Sequence, residues 1–212
     1  MEILNFINIL LFSYTFPKKH AIIFLAFGGK QNKMQKNIEK KIEEISEFNE
    51  IIEDIINNET VLKMKNFRQH FDTSCYEHCY MASYYCYKIC KLFHLDYKSA
   101  ARAGMLHDFF LYDWRKPNSS GGLHAFKHGK IAYENAKKLF ELNDVEKDMI
   151  IKHMWPVTFF SFPKYPETLI LTLVDKYCAL EESIYDFFHN FSFKNSIKHA
   201  YLLLVFILFK KK

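Results

Sequence analysis

An all-α fold is predicted for this chain, on three observations. Apolar residues recur at three- and four-residue steps, alternation of period two is scarce, and helix-start signatures open several segments. Half of the 212 residues are apolar and 17% are aromatic, which excludes global disorder and allows one substantial core.

The elements follow in order. Lys36 to Asn57 reads as an amphipathic helix, with Ile38, Ile42, Ile45, Phe48, Ile52 and Ile55/Ile56 recurring between charges. Ser74-Cys75-Tyr76-Glu77 is a capping box, in which each side chain satisfies the other residue's free backbone N–H; its helix should run to about Phe93. Asp96 to Phe110, rich in alanine, is a third helix. Trp114 to Leu123 holds a proline, two serines and two glycines and reads as a loop. A fourth helix is expected from His124 or Phe126 to Phe140, and a fifth from the cap at Asn143 to about His153. Pro156, Pro163 and Pro166 punctuate the next loop, and Pro166 suits the first turn of a helix reaching Glu181.

The two ends differ from this middle. Residues 1–33 form an apolar extension, 34–185 the helical domain, and 186–212 an apolar and basic tail. Neither apolar end reaches the roughly 20 residues that a membrane span needs. Packing on the domain is the plain reading of both; interfacial contact with a membrane, or packing against a second subunit in a homo-oligomer, is the sharper one. Translation from Met34 is a further possibility.

The net charge is +5, with lysine scattered rather than gathered. That pattern argues against a nucleic-acid polymer as partner and leaves anionic small molecules open. Five cysteines without a secreted-scaffold spacing point to free thiols and a cytoplasmic setting. Cys75/Cys79 and Cys86/Cys90, four residues apart, read as small apolar residues stacked on a helix.

Chemistry enters with the histidines. His78 falls on a stripe with Met81, Ala82, Tyr85, Ile89 and Leu92, and His107 shares a face with Ala100, Ala103 and Gly104. Small residues there would let two helices approach and bring these rings together. His128 lines up with Ile131 and Ala132, and His153 with Met149 and Ile150. Asp175 ends the otherwise nearly apolar run Leu169-Ile170-Leu171-Thr172-Leu173-Val174. A carboxylate carried into such a core needs a cation or several donors. Each residue alone is commonplace, and Asp175 could be paired by Lys176. Together, four inward histidines and two aspartates, Asp108 and Asp175, form a ligand set suited to manganese, iron, nickel or zinc.

In order, Tyr76-Glu77-His78, Leu106-His107-Asp108, His128-Gly129, His153 and Val174-Asp175-Lys176 resemble the HD superfamily of metal-dependent phosphohydrolases, across about residues 68–182. The resemblance implies an HD-domain helical bundle with two divalent metals per chain. His78, His107 and Asp175 would hold one metal, His128 and His153 the other, and Asp108 would bridge them. It further implies hydrolysis of a phosphorylated small molecule, a nucleotide being the leading class, by metal-activated water. Tyr76-Glu77-His78 and His128-Gly129 are similar to the group that splits diadenosine tetraphosphate symmetrically, whereas the stretch after Asp175 departs from it.

Asp108 and Arg115 are the catalytic candidates. Arg115, Lys176 and His124 are the candidates to bind substrate, Arg115 first because a guanidinium fits phosphate bidentately. Asp113 is a candidate to hydrogen-bond a ligand histidine, and His70 to contact the leaving group or a metal-bound water. The alternatives are a non-catalytic nucleotide-binding or signalling module and a diiron oxygenase.

Overall fold

The computed structural model describes residues 31–69, 73–116 and 123–190. The expectations for the apolar segments Ile3–Phe27 and Tyr201–Phe209, for the Pro117 region and for His70 lie outside the described residues. The chain divides into two compact units, Met1–Ile45 and Ser46–Lys212. Every residue of the site below belongs to the second.

The all-α reading holds. The helices are α1 (Gln31–Ile51), α2 (Glu53–Ile56), α3 (Glu59–Leu62), a 3₁₀ turn (Lys63–Asn66), α4 (Cys75–Leu92), α5 (Tyr97–Leu106), α6 (His124–Ala136), α7 (Asp144–Lys152) and α8 (Pro166–Asn190). No strand occurs among the described residues; Arg68 and Ser74 form an isolated bridge. Nor is any described helix long and apolar enough to cross a membrane.

Local chemistry sets most of the boundaries. Ser74 and Glu77 form the expected capping box on α4, and Asn143 and Glu146 form a second on α7. Asp96 caps α5 by accepting from the Ser99 N–H at 3.0 Å. Pro166 opens α8, where its missing N–H costs nothing. At the end of α4 the chain turns through His94 in a left-handed conformation, φ 56°. The Leu95 N–H then reaches the Cys90 carbonyl at 2.9 Å and the His94 N–H reaches Lys91 at 3.3 Å, a Schellman closure built without glycine.

Several expectations need correction, among them the last helix, which runs past Glu181 to Asn190. The first helix does not run unbroken to Asn57; it breaks at Ile52, and the short α3 and 3₁₀ turn follow. α5 ends at Leu106 and α6 at Ala136, earlier than the apolar pattern suggested, because side chains beyond each end pack from turns. The buried face of α4 is also rotated from the expected stripe. Cys75, Cys79, Ala82, Cys86 and Cys90 are buried with His78, while Leu92 is 72% exposed.

The rotation has a packing cause. A Cβ on Gly104 would stand 2.6 Å from the Ser83 Cα, so α4 and α5 touch backbone to backbone. Such an approach admits cysteine, alanine and serine but not a row of leucines. The core extends through Met105, Leu106, Phe109, Phe110, Met149, Ile150 and Leu171. α8 packs against α4 and α7, and α7 against α5 and α6, so the helices that carry the candidate ligands share one interior. All five cysteines are free and buried, as the spacing indicated.

Candidate metal centre

The six ligand candidates converge from five separate places in the fold. His78 comes from the second turn of α4 and Asp175 from the middle of α8. His128 comes from α6, and His107-Asp108 and His153 from the C-terminal ends of α5 and α7. Helix C-termini carry partial negative charge, so two of these positions favour a cation before any side chain is counted.

Ring orientation is fixed from behind. His107 Nδ1 donates to the Gly104 carbonyl at 2.8 Å, His128 Nδ1 to His124 at 3.0 Å, and His153 Nδ1 to Ile150 at 2.9 Å. A carbonyl only accepts, so each Nδ1 carries a hydrogen and each Nε2 is turned inward. His78 uses a side chain instead: its Nδ1 meets Glu182 Oε1 at 2.9 Å, and its Nε2 lies 3.1 Å from Asp175 Oδ1. His107 Nε2 is 3.6 Å from the same Asp175 oxygen and 3.7 Å from Asp108 Oδ2. Across the centre, Asp108 Oδ1 faces His128 Nε2 at 3.3 Å and His153 Nε2 at 3.6 Å.

Two ligand groups result: His78, His107 and Asp108, and Asp108, His128 and His153, with Asp108 common to both. Donor atoms sharing a metal at bonds of about 2.0–2.2 Å stand roughly 3.0–3.5 Å apart. The spacings here run from 2.8 to 3.7 Å, on both sides of that range. His107 Nε2 and Asp108 Oδ1, both at the heart of the site, are buried without hydrogen-bond partners. Buried imidazole and carboxylate in this arrangement could hold divalent metal.

Electrostatics agree with an interior arranged for positive charge. Burial alone would raise the carboxyl of Asp108, but His107, His128 and His153 outweigh it and hold it at about 2. Burial likewise works against Asp175, yet the His107 and His78 rings beside it keep it well below the usual carboxylate range. Burial disfavours a charged His78, and Asp175 and Glu182 overcome that, so its pKa lies well above the ordinary imidazole value. His107 is raised too, against burial, mainly by Cys79 and Asp108. His153 goes the other way, to about 3, through burial and the neighbouring His128 and His107.

Supporting contacts build the walls. Gln69 Nε2 donates to Asp108 Oδ2 from the turn before α4, and Cys75 Sγ donates to the Asp108 carbonyl at 3.2 Å. Asn135 Nδ2 holds the Phe109 carbonyl at 3.0 Å, tying α6 to the turn that carries Asp108. A Cβ on Gly129 would meet the Ile150 carbonyl at 2.7 Å and His153 Cε1 at 3.3 Å; only glycine lets α6 bring His128 against His153.

The three substrate candidates fare differently. His124 lies directly behind His128, with ring centroids 4.6 Å apart and planes 20° from parallel. Trp114 stacks on its other side, and Tyr112 Oη meets His124 Nδ1 at 2.9 Å. Burial and His128 push its pKa down to about 4. Lys176 stands beside the centre, 3.7 Å from Asp175 Oδ2, with its ammonium on the Thr172 and His153 carbonyls. Arg115 is drawn elsewhere: its Nε and Nη2 grip Asp113 at 2.9 and 3.2 Å. Asp113 therefore serves Arg115 and not a ligand histidine.

Sequence reasoning missed Glu182 and Gln69. Glu182 had a usable signal, since it lies seven residues beyond Asp175 and so on the same face of α8. Gln69 had none, because a tight turn aims it. Comparison with family models, with curated proteins and with solved structures found no match for this chain.

Proposed function

We propose that this chain is a two-metal phosphohydrolase of the HD type, acting on a phosphorylated small molecule, with nucleotides the leading class. The observation that carries the reading is Asp108, whose buried carboxylate belongs to both ligand groups. On this reading His78, His107 and Asp175 hold one cation, His128 and His153 the other, and Asp108 both. Divalent cations so placed supply an acidified water at neutral pH and charge to offset phosphate oxygens.

The chain's own groups do the rest. The Nδ1 hydrogen bonds fix every ring before substrate arrives, so little reorganisation is left for the reaction. Lys176 adds positive charge at the partly exposed edge beside Asp175. His124, kept neutral at ordinary pH, offers a hydrogen bond rather than another cation. Arg115 would reach a phosphate by exchanging the Asp113 carboxylate for it, one bidentate partner for another.

Metal analysis of wild type and Asp108→Ala tests the proposal, run beside a manganese- and iron-supplemented screen of phosphorylated nucleotides. Two metals per chain, lost in the variant together with phosphate or nucleotide release, are expected. A metal-free wild type without turnover would overturn it. Tight nucleotide binding with no product over hours would make the chain a binding module instead.

A further inference from the structure

Three of the four ligand histidines rest their Nδ1 on a backbone carbonyl; His78 alone rests it on a carboxylate. That carboxylate, Glu182, comes from α8, two helical turns beyond Asp175, so one face of α8 supplies both the oxygen in front of the His78 ring and the one behind it. The Glu182 side chain is only 11% exposed, and its second oxygen, Oε2, is buried with no hydrogen-bond partner. A carboxylate retained in such a place is costly unless positive charge lies close. The two halves of the centre also differ in charge. Asp108, Asp175 and Glu182 lie against His78 and His107, whereas among the described residues the carboxylate paired with His128 and His153 is Asp108, with Asp175 acting on His153 from farther off.

We propose that Glu182 is a positioning residue for His78, and that it makes the His78–His107 half the tighter of two unequal cation positions. By accepting the Nδ1 hydrogen, it commits the Nε2 lone pair to the centre and holds the ring plane against Asp175. Its charge adds to the field at that half, where its contact is with the His78 ring. The proposal rests on the two-metal reading above. It goes beyond that reading by ranking the two positions and naming a residue that touches neither substrate nor cation.

The test is calorimetric titration of the full chain with manganese, on wild type, Glu182→Gln and Glu182→Ala. Wild type should take up two cations with distinct affinities. Loss of a carboxylate behind a ligand histidine weakens binding by about 10–100-fold, and here only the tighter position should weaken, in both variants. Glutamine can still accept the Nδ1 hydrogen, so weakening in Glu182→Gln isolates the charge from the hydrogen bond. Nitrogen NMR of the zinc-loaded wild type gives an independent reading if the variants misfold: His78 should be ligated through Nε2 with hydrogen on Nδ1. Two cations in wild type with unchanged affinities in both variants, or His78 ligated through Nδ1, would overturn the role of Glu182 and leave the two-metal reading standing. No cation uptake by wild type would overturn both.

Discussion

The Nε2 atoms of His128 and His153 lie 2.8 Å apart, and each ring has its Nδ1 hydrogen committed to a backbone carbonyl. Two neutral rings so held would point lone pairs at each other. The contact is favourable only with positive charge between or beside them, a shared proton or a metal ion. Asp108 Oδ1, within 3.6 Å of both, completes a three-sided seat.

Replacing Asp108 therefore removes a partner from both halves at once. Asp108→Asn should lose more metal than removal of a supporting carboxylate does, beyond about 100-fold in affinity, with α-helical circular dichroism retained. Metal content after gel filtration is the check. Two retained cations per chain would show that Asp108 is not shared.

Cation uptake should release protons. Without a cation, Asp175 and Glu182 hold His78 protonated and Cys79 and Asp108 hold His107 so, and a metal takes the place of those protons. Apparent affinity should rise as pH increases across neutrality. In the cation-free chain the sign is opposite: stability from these raised histidines is complete below pH 6.5 and is lost as pH rises through their folded values. Calorimetry in two buffers of different ionisation enthalpy measures the released protons, and a net release of zero would contradict the ligand assignment.

His124 gives an acid limb. Its pKa falls from the ordinary 6.5 to about 4, by burial first and by His128 second. A depressed value means that the neutral ring contributes stability above pH 6.5, lost as pH falls through about 4. His124→Asn should therefore flatten the fall in unfolding free energy between pH 6.5 and 4, measured by urea denaturation. An unchanged slope would show that the ring titrates normally.

Gly129→Ala should break the centre without touching a ligand. Its Cβ would press on the Ile150 carbonyl at 2.7 Å and the Ile151 carbonyl at 3.0 Å, and backbone yields little. The expected cost is about 1–3 kcal/mol in stability, with His128 moved off His153 and one cation lost. Thermal melting and metal stoichiometry read the two effects separately.

His94→Gly is the converse case, remote from the centre. His94 holds φ 56° at the close of α4, where a side chain costs roughly 1–2 kcal/mol that glycine avoids. A gain of about 0.5–1 kcal/mol is expected after glycine's own chain entropy, with metal binding unaltered. A loss of stability would mean that the imidazole makes a compensating contact.

Much of this protein was legible in the sequence because it is local. The capping boxes at Ser74 and Asn143 and the proline opening α8 involve partners within a few residues, and they begin helices where expected. His78, His107, His128, His153 and Asp175 were legible as candidates too, as polar side chains on apolar helical faces, and Asp108 by its place beside His107. Distance along the chain hid the rest. One residue turns a helix by about 100°, so the close approach at Gly104, and not the stripe of large side chains, decided that α4 buries its cysteines and exposes Leu92. The pairings of Glu182 with His78, Gln69 with Asp108 and Arg115 with Asp113 were likewise settled by where side chains meet in space. The sequence by itself determined where the capped helices begin and that a set of imidazole and carboxylate groups turns inward. The tertiary structure decided which atom of each faces which, because a hydrogen bond depends on direction and position that periodicity does not encode.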